Sequence, residues 1–377
     1  MTEGLNTEVT VSELGGLIAT AVAVKRPVMI HGSPGVGKSM ALLESASRTI
    51  GIMPNGEKDN RKPLSHLQRV VQRGDVHNPT QEFGFFDVRL TDCDPVDIGG
   101  LPYGDEVNDV QRRRVPDWFP STDRTDLPDH GFLVLEEAPS APRAVQTAAY
   151  QLTLDRRIGD KQMKPGWAVI LTGNHLSDGG VVNKMPTPLC NRIIHLYVRS
   201  DFHSWTAWAI HAGVHEAVLG FLRFRPDLLN TFEQYLSEGA KGHAFATERS
   251  WHAVSDLMNE DEDVDVTLLS GTVGQGPAME FNAFRKVYKE MPSIDGILMD
   301  PANAPVPENR STVYAVCTAL AARASRNTFG NVCEYIDRLD PEFRALTVKD
   351  AMKRHGGEVT STPAFTKWAT ENQQLLG

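Results

Sequence analysis

The sequence HGSPGVGKS at residues 31–39 constrains the fold more than any other part of the chain. It follows the short, β-rich apolar run 28–30 and precedes residues 40–50, where apolar side chains recur at helical spacing. Residues 32–39 match the pattern G-x-x-x-x-G-K-[ST], which forms a phosphate-binding loop where it joins a strand to a helix. We call residues 32–39 the glycine loop.

The glycine loop predicts a nucleoside triphosphate site. Its glycines let backbone N–H groups approach phosphate oxygens closely, and the helix that follows adds positive potential at its N-terminus. Lys38 is expected to reach the β- and γ-phosphates, and the Ser39 hydroxyl to bind Mg²⁺. The alternative is a glycine turn beside a solvated lysine. The predicted nucleotide-binding residues are Gly32, Ser33, Pro34, Gly35, Val36, Gly37, Lys38, Ser39 and Met40.

The rest of the first half alternates apolar strands with helices. We predict strands at 28–30, 83–90, 131–135, 168–172 and 193–198, a helix at 142–154, and an insertion with one short helix at 51–80. Nearly continuous apolar strands that alternate with helices indicate a parallel sheet covered on both faces. The pattern is helical beyond Ser200, with a polar, Pro-rich linker or long loop at 299–311. The predicted domains are 1–199, 200–290 and 291–377.

Three polar residues follow two of these strands. Glu136 and Glu137 end the strand 131–135, and adjacent residues of a strand point in opposite directions. We therefore predict that Glu136 assists Mg²⁺ while Glu137 polarises a water beside the γ-phosphate. Asn174 closes the strand 168–172 and is predicted to orient the same water. The alternatives are two glutamates that only end a strand, and a turn-forming asparagine.

Two arginines are candidates for contact with the γ-phosphate. Arg192 precedes the last predicted strand and is placed to stabilise transition-state charge, most usefully in the site of a neighbouring subunit. Arg249 begins a helix in the all-helical region and is predicted to reach the γ-phosphate from a lid. A structural salt bridge is the alternative for Arg192, and an ordinary surface arginine is the alternative for Arg249.

Composition excludes several classes. The formal net charge of −10 disfavours indiscriminate binding to nucleic acid, although it does not exclude a nucleic-acid site with a local basic lining. Four scattered cysteines, none in a CxxC pair, favour reduced thiols over disulfides or zinc. Neither a leader peptide nor a long apolar segment is evident, which predicts a cytoplasmic protein with no membrane contact. The triple arginine 112–114 is expected in a solvated loop, with a role at a central pore or a substrate as the alternative.

Five segments together resemble the MoxR-like branch of the AAA+ ATPases. They are HGSPGVGKS, FLVLEEAPSAPRAVQTAAYQLTLDRRIG, VILTGN, PLCNRI and ATERSW, and the resemblance covers about residues 10–260, including the DIGGLP turn at 97–102. The implied fold is a P-loop AAA+ parallel sheet flanked by helices, followed by an all-helical lid and a C-terminal helical extension. The implied roles are Walker A for Lys38 and Ser39, Walker B for Glu136 and Glu137, sensor 1 for Asn174, arginine finger for Arg192 and sensor 2 for Arg249.

The resemblance also implies a function. Members of this branch are chaperone-like remodellers that hydrolyse ATP with Mg²⁺ in rings, here expected to be hexamers. They often act with a partner that bears a von Willebrand factor A domain. This chain departs from the pattern in having Glu136 where Asp is usual and Glu248 where Pro is frequent. A nucleic-acid-directed motor or loader and a small-molecule kinase remain alternatives.

Overall fold

The computed structural model describes residues 8–52, 58–62, 64–174, 185, 190–240, 242–289 and 291–376. The chain forms two compact units, Met1–Asp201 and Phe202–Gly377. We call the first the sheet unit and the second the helical unit. From residue 202 onward, the helical unit covers both of the ranges predicted as separate domains, 200–290 and 291–377, and their division from each other stays a prediction.

The sheet unit is built on seven strands, each parallel to its neighbours. Their order across the sheet is β1 (Glu8–Val9), β11 (Ile194–Val198), β2 (Val28–Gly32), β10 (Gly166–Gly173), β7 (His130–Glu136), β4 (Glu82–Arg89) and β3 (Arg69–Val71). The strand that leads into the glycine loop is therefore central, between β11 and β10. The carboxyl ends of β2, β7 and β10 meet at one edge of the sheet, where Lys38, Glu136 and Asn174 follow or end the strands.

Helices cover both faces of this sheet. One face packs against α1 (Val11–Ala23) and α2 (Lys38–Thr49) around side chains such as Val28 and Val134. The other face packs against α3 (Pro95–Gly99) and α4 (Arg143–Asp155) around the alternate residues Met29 and Leu133. Because both faces are buried, the strands are apolar at nearly every position. The predicted parallel sheet with flanking helices is confirmed.

Two short antiparallel hairpins project from the sheet unit. Strand β5 (Leu101–Asp105) pairs with β6 (Val110–Arg114), and β8 (Arg157–Ile158) pairs with β9 (Lys161–Gln162). The triple arginine 112–114 lies on β6, so the prediction of a solvated loop is wrong in conformation. Arg112 is fixed by ion pairs to Asp105 at 2.5 Å and to Asp160 at 2.8 Å.

The segment 51–80 differs from its prediction. Among its described residues the chain forms turns and strand β3, and none of them is helical. Leu67 and Val71 are buried, and β3 pairs with β4 in parallel register at the edge of the sheet. The predicted short helix is therefore absent from the described residues of 51–80, and part of the segment extends the sheet instead.

The helical unit contains only helices and turns among its described residues. Its helices are α5 (Phe202–His211), α6 (Glu216–Phe224), α7 (Phe232–Ser237), α8 (Glu248–Glu260), α9 (Val266–Val273), α10 (Gln275–Lys289), α11 (Ile294–Met299), α12 (Arg310–Ala322), α13 (Phe329–Ile336), α14 (Pro341–His355), α15 (Gly357–Thr360), α16 (Pro363–Glu371) and α17 (Gln373–Leu376). They surround two apolar clusters, one centred on α6, α8 and α10 and the other on α12 to α14. The predicted all-helical region is confirmed.

A buried ion pair joins the two clusters of the helical unit. The Arg223 guanidinium on α6 pairs with the Asp350 carboxylate on α14 and donates to Thr318 Oγ1 on α12 at 2.7 Å. The side chains of Arg223 and Asp350 are 2% and 6% exposed. Removing either partner would leave an uncompensated buried charge, which is strongly destabilising.

The Pro-rich segment predicted as a linker or long loop is a loop packed on the helices. Arg338 Nη1 donates to the carbonyl oxygens of Pro301 and Ala304, both at 2.7 Å, and the Tyr335 hydroxyl donates to Pro305 O at 2.9 Å. These bonds hold the loop between α11 and α12 against α13. No helix formed by the described residues is both long enough and apolar enough to cross a lipid bilayer.

Candidate nucleotide site

The glycine loop joins the end of β2 to the first residue of α2. Gly35 and Gly37 have φ values of 79° and 92°, a region that glycine enters without steric cost. Gly32 is packed so closely that an added Cβ would lie 3.0 Å from Val198 O. The glycines are thus required by the backbone path, and the loop ends at a helix N-terminus whose N–H groups suit an anion.

The Lys38 ammonium lies inside the loop that precedes it. Its Nζ donates to the carbonyl oxygens of Gly32 at 2.6 Å and Ser33 at 3.0 Å, and to Asn174 Oδ1 at 3.2 Å. The structure therefore brings together the predicted residues Lys38 and Asn174, which follow the neighbouring strands β2 and β10. A lysine so placed carries its charge at the mouth of the loop, where phosphate groups would lie.

Ser39 and Glu136 form the second contact between predicted residues. The Ser39 hydroxyl, on the first turn of α2, donates to Glu136 Oε1, at the end of β7, at 2.6 Å. A hydroxyl and a carboxylate at this separation supply hard oxygen ligands of the kind that Mg²⁺ prefers. Mg²⁺ usually takes one or two protein oxygens and completes its shell with water and substrate phosphates. No group of three or more His, Cys, Asp or Glu suited to a metal occurs among the described residues, and this pair fits Mg²⁺ without one.

Glu137 diverges from Glu136 for a reason that differs from the prediction. Strand β7 ends at Glu136, and Glu137 has φ 56° and ψ 32°, the left-handed conformation, before a 3₁₀ turn. The two carboxylates separate because the backbone turns, not because they alternate along a strand. Thr91 Oγ1 donates to Glu137 Oε2 at 3.1 Å, and Arg89 Nε lies 3.8 Å from Glu137 Oε1.

Both predicted arginines are exposed, and no described contact joins Arg192 to the glycine loop. Arg192 lies in the turn that precedes β11, and Arg249 is the second residue of α8. Exposure at Arg192 is what contact with a neighbouring subunit requires. Arg249 belongs to the helical unit, where Glu248 at the first helical position accepts from Asn230 Nδ2 at 2.8 Å and is buried. The first helical position of α8 therefore accommodates a glutamate.

Residues that the sequence did not single out line the base of the loop. His31 Nε2 lies 2.9 Å from His195 Nδ1, and His195 Nε2 lies 3.1 Å from Cys190 O. Because a carbonyl only accepts, a neutral His195 donates from Nε2 and accepts from His31. His31 also stacks on Tyr197. This chain of bonds connects the strand before the glycine loop to the segment that carries Arg192.

Two of the site residues that the sequence did not single out, Thr91 and Arg89, share a sequence signal. Thr91 and Arg89 follow or end β4, just as Glu136 and Asn174 do for their strands. Since the carboxyl ends of parallel strands meet at one edge, a polar residue after β4 is a candidate for the same site. His31 and His195 are partners because β2 and β11 are adjacent, which the sequence alone does not state.

Comparison with known proteins gives distant structural similarity only. A putative ATPase from Cytophaga hutchinsonii is 10% identical, with 98% of this chain and 91% of that chain covered and a TM-score of 0.33. NtrX from Brucella abortus in complex with ATP is 14% identical, with 99% and 69% covered and a TM-score of 0.34. A RuvB mutant from Thermotoga maritima is 10% identical, with 96% and 89% covered and a TM-score of 0.30. No family model and no curated protein matches the chain. The function below therefore rests on the sequence and the site geometry.

Proposed function

We propose that the chain is a Mg²⁺-dependent ATPase of the AAA+ class that converts hydrolysis into remodelling of a protein client. The observation that supports this most directly is the pairing of Ser39 Oγ with Glu136 Oε1 at 2.6 Å beside a glycine loop filled by the Lys38 ammonium. A metal-ligand pair, a phosphate-binding lysine and a helix N-terminus at one sheet edge are the parts that ATP hydrolysis requires.

Each residue has a defined task in this proposal. The loop N–H groups and Lys38 hold the β- and γ-phosphates, and Asn174 positions Lys38 and the attacking water. Glu137 accepts a proton from that water. The water oxygen bonds to the γ-phosphorus while the bond between the γ-phosphorus and the β–γ bridging oxygen breaks. Ser39 and Glu136 would hold Mg²⁺, which would supply positive charge to neutralise the phosphate oxygens. Thr91 and Arg89 hold the Glu137 carboxylate through the contacts described above.

The exposure of Arg192 supports a site shared between subunits. An arginine finger supplied by a neighbouring subunit stabilises charge on the transferring phosphoryl group. Head-to-tail subunits that share sites close into a ring when the rotation between them closes, and we propose such a ring, a hexamer, for this chain. Arg249, in the helical unit, is proposed to contact the γ-phosphate and to move with nucleotide state. A partner with a von Willebrand factor A domain is proposed from the MoxR-like resemblance alone.

Mixing inactive subunits tests both hydrolysis and sharing. Glu137→Gln removes the proton acceptor, and Arg192→Ala removes the arginine finger, which alone is worth about 10³–10⁵-fold in turnover. Each variant is therefore expected to lose most of its ATPase activity. In randomly mixed rings, about a quarter of the interfaces combine an intact Glu137 with an intact Arg192, and the mixture recovers activity in proportion. Arg199→Ala, at an exposed arginine beyond β11, is the matched control and should retain activity.

Two results would contradict the proposal. Full activity of Arg192→Ala alone would show independent sites and favour a kinase-like or monomeric enzyme. Hydrolysis stimulated by DNA with a steep salt dependence would instead favour a nucleic-acid-directed motor. The net charge of −10 supports the protein-directed alternative.

A further inference from the structure

A cavity of about 540 Å³ opens at the surface of the helical unit, remote in sequence from the glycine loop. Its walls come from the start of α6, the end of α8, the end of α10, the segment 291–294 and the end of α14. Volumes of about 300–1,000 Å³ are typical of small-molecule sites. We call it the helical-unit cavity.

Arg354 is the main polar feature of the helical-unit cavity. Its guanidinium makes no hydrogen bond or ion pair with any residue that the structure describes, and two of its nitrogens, Nε and Nη2, are fully shielded. Shielded donors without partners are costly, because water no longer satisfies them. A guanidinium presents a planar fork of donors that matches a carboxylate or a phosphate group.

The other basic residues of the cavity are already engaged. Arg285 Nη2 donates to Val264 O at 2.8 Å and to Asn282 Oδ1 at 2.9 Å, and Lys289 forms an ion pair with Asp263. Among the basic residues of the cavity, Arg354 is therefore the one whose N–H groups form no hydrogen bond with a described residue.

His215 adds a neutral donor to the same walls. Its Nδ1 accepts the N–H of Ala217 at 3.2 Å, so Nε2 carries the proton. Burial lowers the pKa of His215, which keeps the ring uncharged at neutral pH. A neutral ring that donates from Nε2 complements an anion.

Of the two acids that line the cavity, Glu216 and Glu262, Glu216 is the one that interacts with the Arg354 charge. Its Oε2 accepts from the Tyr288 hydroxyl at 3.2 Å, and burial raises its pKa although the Arg354 charge acts in the opposite direction. Burial thus disfavours the charged form of Glu216. No ion pair joins Arg354 to Glu216, both of which are described.

We propose that the helical-unit cavity binds a small molecule through a carboxylate or phosphate group held by Arg354. Met258, Met291 and Ile294 line the same cavity and provide apolar surface for the remainder of such a ligand. Because the walls come from both apolar clusters of the helical unit, a ligand would bridge the range 202–290 to the range 291–377. Binding at this site is independent of the proposed hydrolysis.

Calorimetric titration with three probes tests the proposal. Phenyl phosphate and benzoate carry the expected anion on an apolar ring, and benzyl alcohol lacks the charge. Titrations at constant ionic strength, on protein with saturating Mg²⁺ and ADP, are expected to show binding of the two anions and none of the alcohol. Arg354→Gln should weaken anion binding about tenfold or more, because a charge-assisted hydrogen bond is lost. Lys353→Gln, an exposed neighbour on the same helix, is the matched control and should change it by less than about twofold.

A second variant keeps the test decisive if Arg354→Gln does not fold. Glu216→Gln removes the competing carboxylate and should bind phenyl phosphate at least as tightly as the wild-type chain. Absence of anion binding to the wild-type chain would overturn the proposal, as would equal binding of benzyl alcohol. Anion binding that Lys38→Ala abolishes and Arg354→Gln leaves unchanged would also overturn it, because that binding belongs to the glycine loop.

Discussion

Glu137 combines an unfavourable backbone conformation with the proposed catalytic carboxylate, and two substitutions separate these properties. Its φ of 56° and ψ of 32° are left-handed, which costs an L-residue with a side chain about 1–2 kcal/mol. Glu137→Ala retains that cost, and Glu137→Gly removes it. Both variants lose the same contacts to Thr91 and Arg89, so these contacts cancel when the two variants are compared.

The expected difference in stability follows from two opposing contributions. Glycine gains about 1–2 kcal/mol in the left-handed conformation, but it also loses about 0.5–1 kcal/mol through the greater freedom of the unfolded chain. Glu137→Gly should therefore be more stable than Glu137→Ala by about 0.75 kcal/mol, the centre of the range left by these two contributions. For a unit of the size of Met1–Asp201 this corresponds to about 1–4 °C in melting temperature.

Thermal unfolding without nucleotide measures this difference, and an ATPase assay measures the other property. Gln151, an exposed residue inside α4, is the matched control because its backbone is helical. There the alanine variant should be the more stable of the pair by about 0.5–1 kcal/mol. Both Glu137 variants should lose about 10²-fold or more in hydrolysis, since the proton acceptor is absent. A less stable Glu137→Gly than Glu137→Ala, or substantial hydrolysis by either, would refute the reasoning.

Three further predictions concern the metal ligands, the buried pair and acid stability. Ser39→Ala should raise the Mg²⁺ concentration for half-maximal hydrolysis about tenfold or more, whereas Ser39→Thr should retain the wild-type value. An unchanged Mg²⁺ requirement in Ser39→Ala would exclude the Ser39 hydroxyl as a ligand. Arg223→Met should lower the free energy of unfolding by about 3–5 kcal/mol in urea titration because Asp350 loses its partner, and an effect under about 1 kcal/mol would contradict the buried pair. Hydrogen bonds from Lys161 and Ser121 hold the pKa of Asp123 at about 2, below its value of 3.8 in the unfolded chain. The contribution of Asp123 to folding stability is therefore present above pH 3.8 and is lost as pH falls through about 2. Asp123→Asn should therefore reduce the decrease in melting temperature across that interval, and an unchanged decrease would show that Asp123 does not contribute.

The central strands were predictable because burial on both faces leaves a continuous apolar sequence. The run 131–135 contains no polar residue, and the run 168–172 contains one, Thr172, at its last position. Strand β1 has only two residues, which is too short for any periodicity to appear. The hairpin of β5 and β6 was missed because both of its strands are largely exposed, so no apolar alternation marks them.

The site was predictable to the extent that its residues end strands or follow the glycine loop. Lys38, Ser39, Glu136 and Asn174 come together because β2, β7 and β10 are close in the sheet. The turn that carries Glu137 into the left-handed region depends on the packing after β7 and has no sequence signature of its own. The interaction with Thr91 required the order of strands across the sheet, which propensities do not provide.

The buried Arg223–Asp350 pair restricts how the chain can be divided in the laboratory. A fragment that stops at residue 290 would keep the guanidinium of Arg223 in an apolar interior while discarding both its carboxylate and the Thr318 hydroxyl. Such a fragment is expected to aggregate, and its inactivity would say nothing about the role of residues 291–377. A cut near residue 201 falls at the boundary of the two compact units and keeps Arg223, Thr318 and Asp350 in one fragment, so it is the division at which the contribution of each part can be measured.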